Sequence, residues 1–399
     1  MTTVTLCVLA ACRASRTDDR PALVLISIDG FRSEYLDRYD APHLRELARR
    51  GVRARWMQPS FPVLTFPNHY TLVTGLLPEH HGIVANEMRD PSGARFSYKD
   101  SGSVRDSAWW GGEPLWVTAE RQGVRAASFF WPGSEAPIHG VRPTFYKHYR
   151  EDVSLADRVD TVLAWLTRPD SLRPRAITVY FSTVDHAGHD HGPNSPEVRA
   201  AVLAVDSAVG RLVGGLEAAR LADRVNVVVV SDHGMAETSP DRVVWRDSYV
   251  PTQNVEALST YGAIAFINPV SGDTNSMLRS LRRAPHMHFY RGDSVPAEWR
   301  YAGTPRIAAI VGVPEEGWLF MARPTRPTAP HVGGSHGYLA TDTSMHALFI
   351  AAGPAFRSGV TAEPFGNIHV YDLLCAALGL TPAPNDGSPD STKGFLKQP

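Results

Sequence analysis

The sequence predicts an α/β fold in which a mainly parallel central sheet is flanked by helices on both faces. Short runs that are apolar throughout recur along the chain, stretches of helical periodicity separate them, and acids and histidines gather where the runs end. A strand covered on both faces reads as a continuous apolar run, unlike the alternation of a half-solvated strand. Parallel neighbours need a crossover, usually a helix. In sheets of this kind ligands bind beyond the carboxyl ends of the strands.

The first strand is Ala22–Asp29 (ALVLISID), followed by a helix over Pro42–Arg50. Arg125–Phe130 is the second strand. A helix over Ser154–Leu166 then sets Leu155, Val159, Val162 and Leu166 on one face. Ala176–Ser182 is the third strand, Glu197–Ala222 a long helix, and Val225–Ser231 the fourth strand. His346–Gly353 is the fifth, and His369–Leu378 the last helix. Between about 240 and 330 prolines, glycines and arginines increase and strands shorten to Ala263–Asn268, His286–Tyr290 and Arg306–Val311. This predicts a cap-like insert on the active edge of one domain spanning 21–399. The tail after Thr381, rich in Pro, Asp, Ser and Gly, is expected to be loose.

With 399 residues, 43% hydrophobic and 20% charged, the chain has ample core material. A formal net charge of −1 leaves no basic footprint, which excludes a nucleic-acid scaffold on bulk electrostatics. Residues 1–20 read as an export leader: MTTVTLCVLAACRAS is apolar, ends in small residues and is too short to span a bilayer. Leu9-Ala10-Ala11-Cys12 resembles a bacterial lipoprotein cleavage box, so an exported, periplasmic monomer with a lipid anchor through Cys12 is expected. Cys7 and Cys12 fall in the leader, which leaves Cys375 alone and no internal disulfide.

The strand ends carry the chemistry. Asp29 ends the first strand, Asp185 follows the third after a short turn, and Asp232 and His233 end the fourth. Burying a carboxylate there is costly unless it meets a cation. Adjacent ligands on an extended segment need a turn, which Gly234 permits. His189 lies four residues past Asp185, and His336 sits in the glycine-rich GGSHG. Mixed carboxylate and imidazole ligands suit zinc, with manganese or iron as alternatives. Three aspartates and three histidines are too many for one catalytic zinc and fit two metals, the usual clamp for phosphoryl transfer. Thr65 precedes Phe66-Pro67 at the start of a helical run over Asn68–Thr74. Two readings stand for it: a hydroxyl nucleophile at the positive end of a helix, or only a helix cap. In Tyr180–Gly192, His186 is assigned to packing or support, and Asp190 and His191 to the rim of a loop.

Asp29-Gly30, Thr65-Phe66-Pro67-Asn68-His69, Gly75, PEHHGIVAN, DHAGH, SDHG and SHG follow the order and spacing of the alkaline phosphatase superfamily. Within it the chain resembles the nucleotide pyrophosphatase/phosphodiesterase branch, from about residue 22 to 380. The resemblance implies two zinc ions, one held by Asp185, His189 and His336, the other by Asp29, Thr65, Asp232 and His233. It implies that Asn86 donates to a phosphate oxygen and that Phe66 and Tyr180 hold the nucleobase. It implies hydrolysis of phosphodiester and pyrophosphate bonds in nucleotides, releasing nucleoside monophosphate through a covalent threonine intermediate. A sulfatase would carry Cys or Ser with Arg where Asn68 stands. Two alternatives remain: a diesterase for choline or other lipid headgroups, and a non-catalytic metal- or phosphate-binding protein.

Overall fold

Eight strands form the central sheet, in the order Val360–Ala362, Val52–Ala54, Phe349–Ala352, Val225–Val230, Ala22–Ile28, Ala176–Phe181, Ala126–Phe129, Phe145–Lys147. All run parallel except Phe349–Ala352, which is antiparallel to both its neighbours. The structure, a computed structural model, describes residues 20–257, 262–270, 273–323 and 333–397. The leader, with Cys7 and Cys12, lies outside the described residues.

The five expected strands are all present. The three that the sequence does not announce, Val52–Ala54, Phe145–Lys147 and Val360–Ala362, are three residues each and lie toward the edges. Along the central strands side chains alternate between two cores. Leu23, Leu25, Val228 and Val230 join one, packed with the helices Leu115–Arg121 and Val370–Leu378. Val24, Ile26, Val227 and Val229 join the other, under the helices Pro42–Arg50, Leu155–Leu166 and Pro196–Ala218. Both faces are apolar because both are covered. Ser154 and Ser195 cap the last two helices, their hydroxyls accepting from Asp157 N–H and Val198 N–H.

A second sheet, four-stranded and antiparallel, has the order Val255–Ala257, Ala265–Pro269, Ile310–Pro314, Met287–Arg291. Its strands alternate. Ile267 and Ile310 pack with Leu278 and Leu281 of the helix Thr274–Leu281, while Phe266, Val311 and Val313 enter the larger core.

Two expectations fail. The tail is docked, not loose: Asn385 Nδ2 donates to Asp372 Oδ1 at 2.8 Å, Asp386 accepts from Leu77 N–H at 2.7 Å, and Phe395 is buried. Its polar side chains find specific partners, which composition does not reveal. Gly234 does not supply a left-handed turn. A Cβ there would lie 2.0 Å from the Ser344 carbonyl oxygen, so the glycine permits a close backbone approach.

Candidate active site

Asp29 and Asp232 leave the carboxyl ends of the neighbouring strands Ala22–Ile28 and Val225–Val230. Asp185 stands on a helix, Thr183–His191, not after a plain turn. That helix follows its strand directly, so Asp185 and His189, four residues apart, share one face. Asp190 and His191 belong to its last turn. Gly30, at φ 68°, brings the two elements together: a Cβ would meet Asp185 Cα at 2.9 Å. His336 arrives beside the short strand Gly334–Ser335, which pairs with Ala236–Glu237.

The ligand-type atoms converge in two overlapping groups. Asp185, His189 and His336 form one, with His189 Nε2 3.4 Å and His336 Nε2 3.8 Å from Asp185 Oδ1. Asp29, Asp232 and His233 form the other, with His233 Nε2 2.8 Å from Asp232 Oδ2 and 3.5 Å from Asp29 Oδ1. One atom each from Asp29, Asp185 and His233 lie within 4.8 Å of one another, so the two groups make one continuous site. Thr65 Oγ1 is 3.3 Å from His233 Nε2.

Each histidine is oriented the same way. His189, His233 and His336 point Nδ1 at the carbonyl oxygens of Gly334, Gly234 and Val63, at 2.9, 2.9 and 3.0 Å. A carbonyl only accepts, so Nδ1 carries the proton and the bare Nε2 faces the site. Asp29 Oδ1, Asp185 Oδ1 and Asp232 Oδ2 are buried with no hydrogen-bond donor among the described residues. Three carboxylates and three bare imidazole nitrogens thus face one another with too few protons between them. Such a set suits divalent cations. His69 also lies near Asp29 and Asp232 but is spent: its Nδ1 meets Thr65 O at 2.8 Å and its Nε2 meets the Ser27 hydroxyl at 2.8 Å.

The electrostatics follow from the crowding. Burial and the charges of Asp232 and Asp185 push the Asp29 carboxyl well above its ordinary range. Burial opposes charge on Asp232, but His233 and His69 hold it well below that range. Burial likewise opposes charge on His233, and Asp232 outweighs it and raises the imidazole. Burial and the neighbouring His233 and His189 push His336 well down.

Thr65 opens the helix Thr65–Thr74 as its first residue; Leu64 is the N-cap and no side chain caps this end. The reading of Thr65 as a mere cap is therefore not what the structure shows. The Phe66 N–H donates to Asn86 Oδ1 at 2.9 Å, which leaves the Asn86 Nδ2 end to donate elsewhere. A cleft of about 520 Å³ opens over these groups, lined also by Phe66, Tyr98, Lys99, Phe130, Tyr149 and Glu135. Tyr180 is nearly buried and its hydroxyl donates to Asp29 Oδ2 at 2.6 Å. Tyr149 is 45% exposed and packs edge-on to Phe130, at 5.2 Å. His186 stands at the mouth of the cleft, 3.5 Å from Glu151. Sequence reasoning missed Tyr149, Lys99 and Glu135. They come from irregular connections whose position depends on distant contacts, such as the left-handed backbone of Phe130 (φ 67°) beneath Tyr149.

Comparison with known proteins gives the following. The family model described as Type I phosphodiesterase / nucleotide pyrophosphatase matches residues 23–339. Ectonucleotide pyrophosphatase/phosphodiesterase family member 3 of Rattus norvegicus is 38% identical over 391 residues, covering 96% of this chain and 44% of its own length. The chain thus spans less than half of that relative. A bis(5'-adenosyl)-triphosphatase of Xenopus laevis is 39% identical over 381 residues, covering 94% of this chain and 82% of its own. Among solved structures, murine ectonucleotide pyrophosphatase / phosphodiesterase 5, an inactive threonine-to-alanine variant in complex with AMP, matches with a TM-score of 0.90. It is 35% identical and covers 95% of this chain and 100% of its own.

Proposed function

This chain belongs to the Type I phosphodiesterase / nucleotide pyrophosphatase family, and from that premise we propose that it hydrolyses phosphodiester and pyrophosphate bonds in nucleotides and their derivatives. The product is a nucleoside monophosphate, formed through a covalent intermediate on Thr65. The observation that carries this reading is the placement of Thr65 Oγ1. It stands at the first residue of a helix, 3.3 Å from His233 Nε2, and it makes no capping bond.

The chain's own groups divide the work. Thr65 Oγ1 attacks phosphorus in line with the departing oxygen, and the positive end of the helix favours the charge the oxygen gains. The helix is pinned behind it by Trp131 Nε1, which donates to the His69 carbonyl at 3.1 Å. Asn86, held by the Phe66 N–H, offers Nδ2 to a phosphoryl oxygen as charge develops there. Phe66 and Tyr149 present aromatic faces in the same cleft for a base. Asp185, His189 and His336 would hold one zinc ion, and Asp29, Asp232 and His233, with Thr65, a second. Bound there, the ions supply charge neutralisation for the phosphoryl group and lower the pKa of the threonine hydroxyl.

Thr65→Ala tests the reading. Turnover of an aryl ester of a nucleoside monophosphate is expected to fall at least about 10³-fold, roughly 4 kcal/mol of barrier. AMP binding and zinc content should persist. Near-full activity in the variant sinks the covalent route. A panel setting nucleotide substrates against glycerophosphocholine separates this reading from a headgroup diesterase. A protein that binds zinc and cleaves none of them is the non-catalytic binder.

A further inference from the structure

At the amino ends of the central strands, opposite the active site, lies a second cleft of about 470 Å³. Arg20, Arg125, Arg173, Arg175 and Arg224 line it. Four of them immediately precede or lead into strands: Arg20 before Ala22–Ile28, Arg125 before Ala126–Phe129, Arg175 before Ala176–Phe181, and Arg224 before Val225–Val230. Arginines from separate segments thus meet on one edge only because the strands are parallel. Among the residues lining the cleft Asp170 is the one carboxylate, and it pairs with Arg173 at 2.6 Å. Arg175 donates to the carbonyls of Arg20, Pro21 and Leu378, at 3.1, 3.3 and 3.4 Å. Those bonds hold the guanidinium in place and do not neutralise it.

Two further observations mark the face. Leu172, between lining residues Ser171 and Arg173, is 47% exposed, one of few large apolar side chains so exposed among the described residues. The chain also enters the fold here, through Arg20 and Pro21, so the segment carrying Cys12 leads onto this surface. A ring of guanidinium groups around an exposed leucine matches an anionic phospholipid surface. The cations meet headgroup phosphates and the leucine enters the interface between them.

We infer that this arginine-lined edge docks the protein on anionic phospholipid, with the active-site cleft turned away from the bilayer. The strands separating the two ends are up to seven residues long, about 20 Å, which keeps the cleft mouth in solvent. The surface does not need lipidation of Cys12. An anchor there would hold this same face against the membrane.

The test uses the full chain with vesicles of phosphatidylglycerol or of phosphatidylcholine in a sedimentation assay. Binding to phosphatidylglycerol and not to phosphatidylcholine, lost at about 0.5 M salt, is expected. Arg125→Gln with Arg224→Gln should weaken it about 25-fold, roughly fivefold for each cation removed. Hydrolysis of a soluble substrate should stay within twofold of the parent, which also shows that the variant folds. Equal binding to both vesicles, or binding indifferent to the two substitutions, overturns the inference. Competition by millimolar inorganic phosphate at constant ionic strength would make the cleft a site for free anions and overturn it too.

Discussion

At the carboxyl ends of the parallel strands Asp29, Asp232 and His233 are almost wholly buried; at the amino ends Arg20, Arg125 and Arg224 are exposed. The strands are the same and the charges differ in sign, but solvent access decides what the charges do. An exposed guanidinium keeps its hydration, and its field is screened within about 10 Å at ordinary salt. A buried carboxylate has lost its water and must be neutralised locally. That is why three orphaned carboxylate oxygens at one end point to cations, and why the arginines at the other need no partner inside the fold.

Cation removal should break this symmetry most sharply. Chelation is expected to abolish hydrolysis and to lower the melting temperature by several degrees, because Asp29, Asp185 and Asp232 are left facing one another. Zinc should restore both. Calorimetry with and without chelator measures it. A melting temperature unmoved by a chelator that strips the metal would mean the protein tolerates those charges bare. Charge removal at the arginine edge should move the melting temperature little.

A buried group with no charge sharpens the contrast. His81 is fully buried, its Nδ1 accepts from Ile83 N–H at 3.1 Å, and its Nε2 meets the Thr71 hydroxyl at 3.1 Å. Burial pushes the imidazole down to about 3. The unfolded chain, near 6.5, therefore binds the proton first as pH falls. The stabilising contribution is full above pH 6.5 and is lost progressively from there to about 3, up to about 5 kcal/mol. His81→Gln should be about 1 kcal/mol less stable at pH 7, from one weakened hydrogen bond, and flatter in denaturation midpoint between pH 6.5 and 4. An unchanged slope would assign the acid sensitivity to the carboxylates alone.

How much of this was legible follows the same physics. The five long strands were visible because burial on both faces leaves unbroken apolar runs, as in VNVVVV of Val225–Val230. The edge strands were not, because three residues carry no periodicity. The convergence of Asp29, Asp185, Asp232, His189, His233 and His336 was legible because strand order fixes where strand ends go. Thr65 was recognisable by its motif, but the residues alone left its hydroxyl free to be a cap; only the path of Leu64 into the helix decided otherwise. The docked tail depends on pairs such as Asn385 with Asp372, which no local pattern announces.

Tyr180 gives the smallest and most discriminating effect. The family resemblance gives its ring to the nucleobase, whereas its hydroxyl donates to Asp29 Oδ2 at 2.6 Å from a nearly buried position. That bond pulls the Asp29 carboxyl down against burial and the neighbouring carboxylates, which push it up. Tyr180→Phe keeps the ring and deletes the bond. If the ring alone matters, KM for a nucleotide and zinc affinity both stay as they are. If the hydroxyl holds Asp29 ionised and aimed, zinc affinity should fall about tenfold, as for other partners of metal ligands. The loss should grow as pH falls, because protons then compete for an Asp29 with one fewer donor. Zinc titration of the chelator-treated variant at pH 8 and pH 6 reads both quantities, independently of turnover.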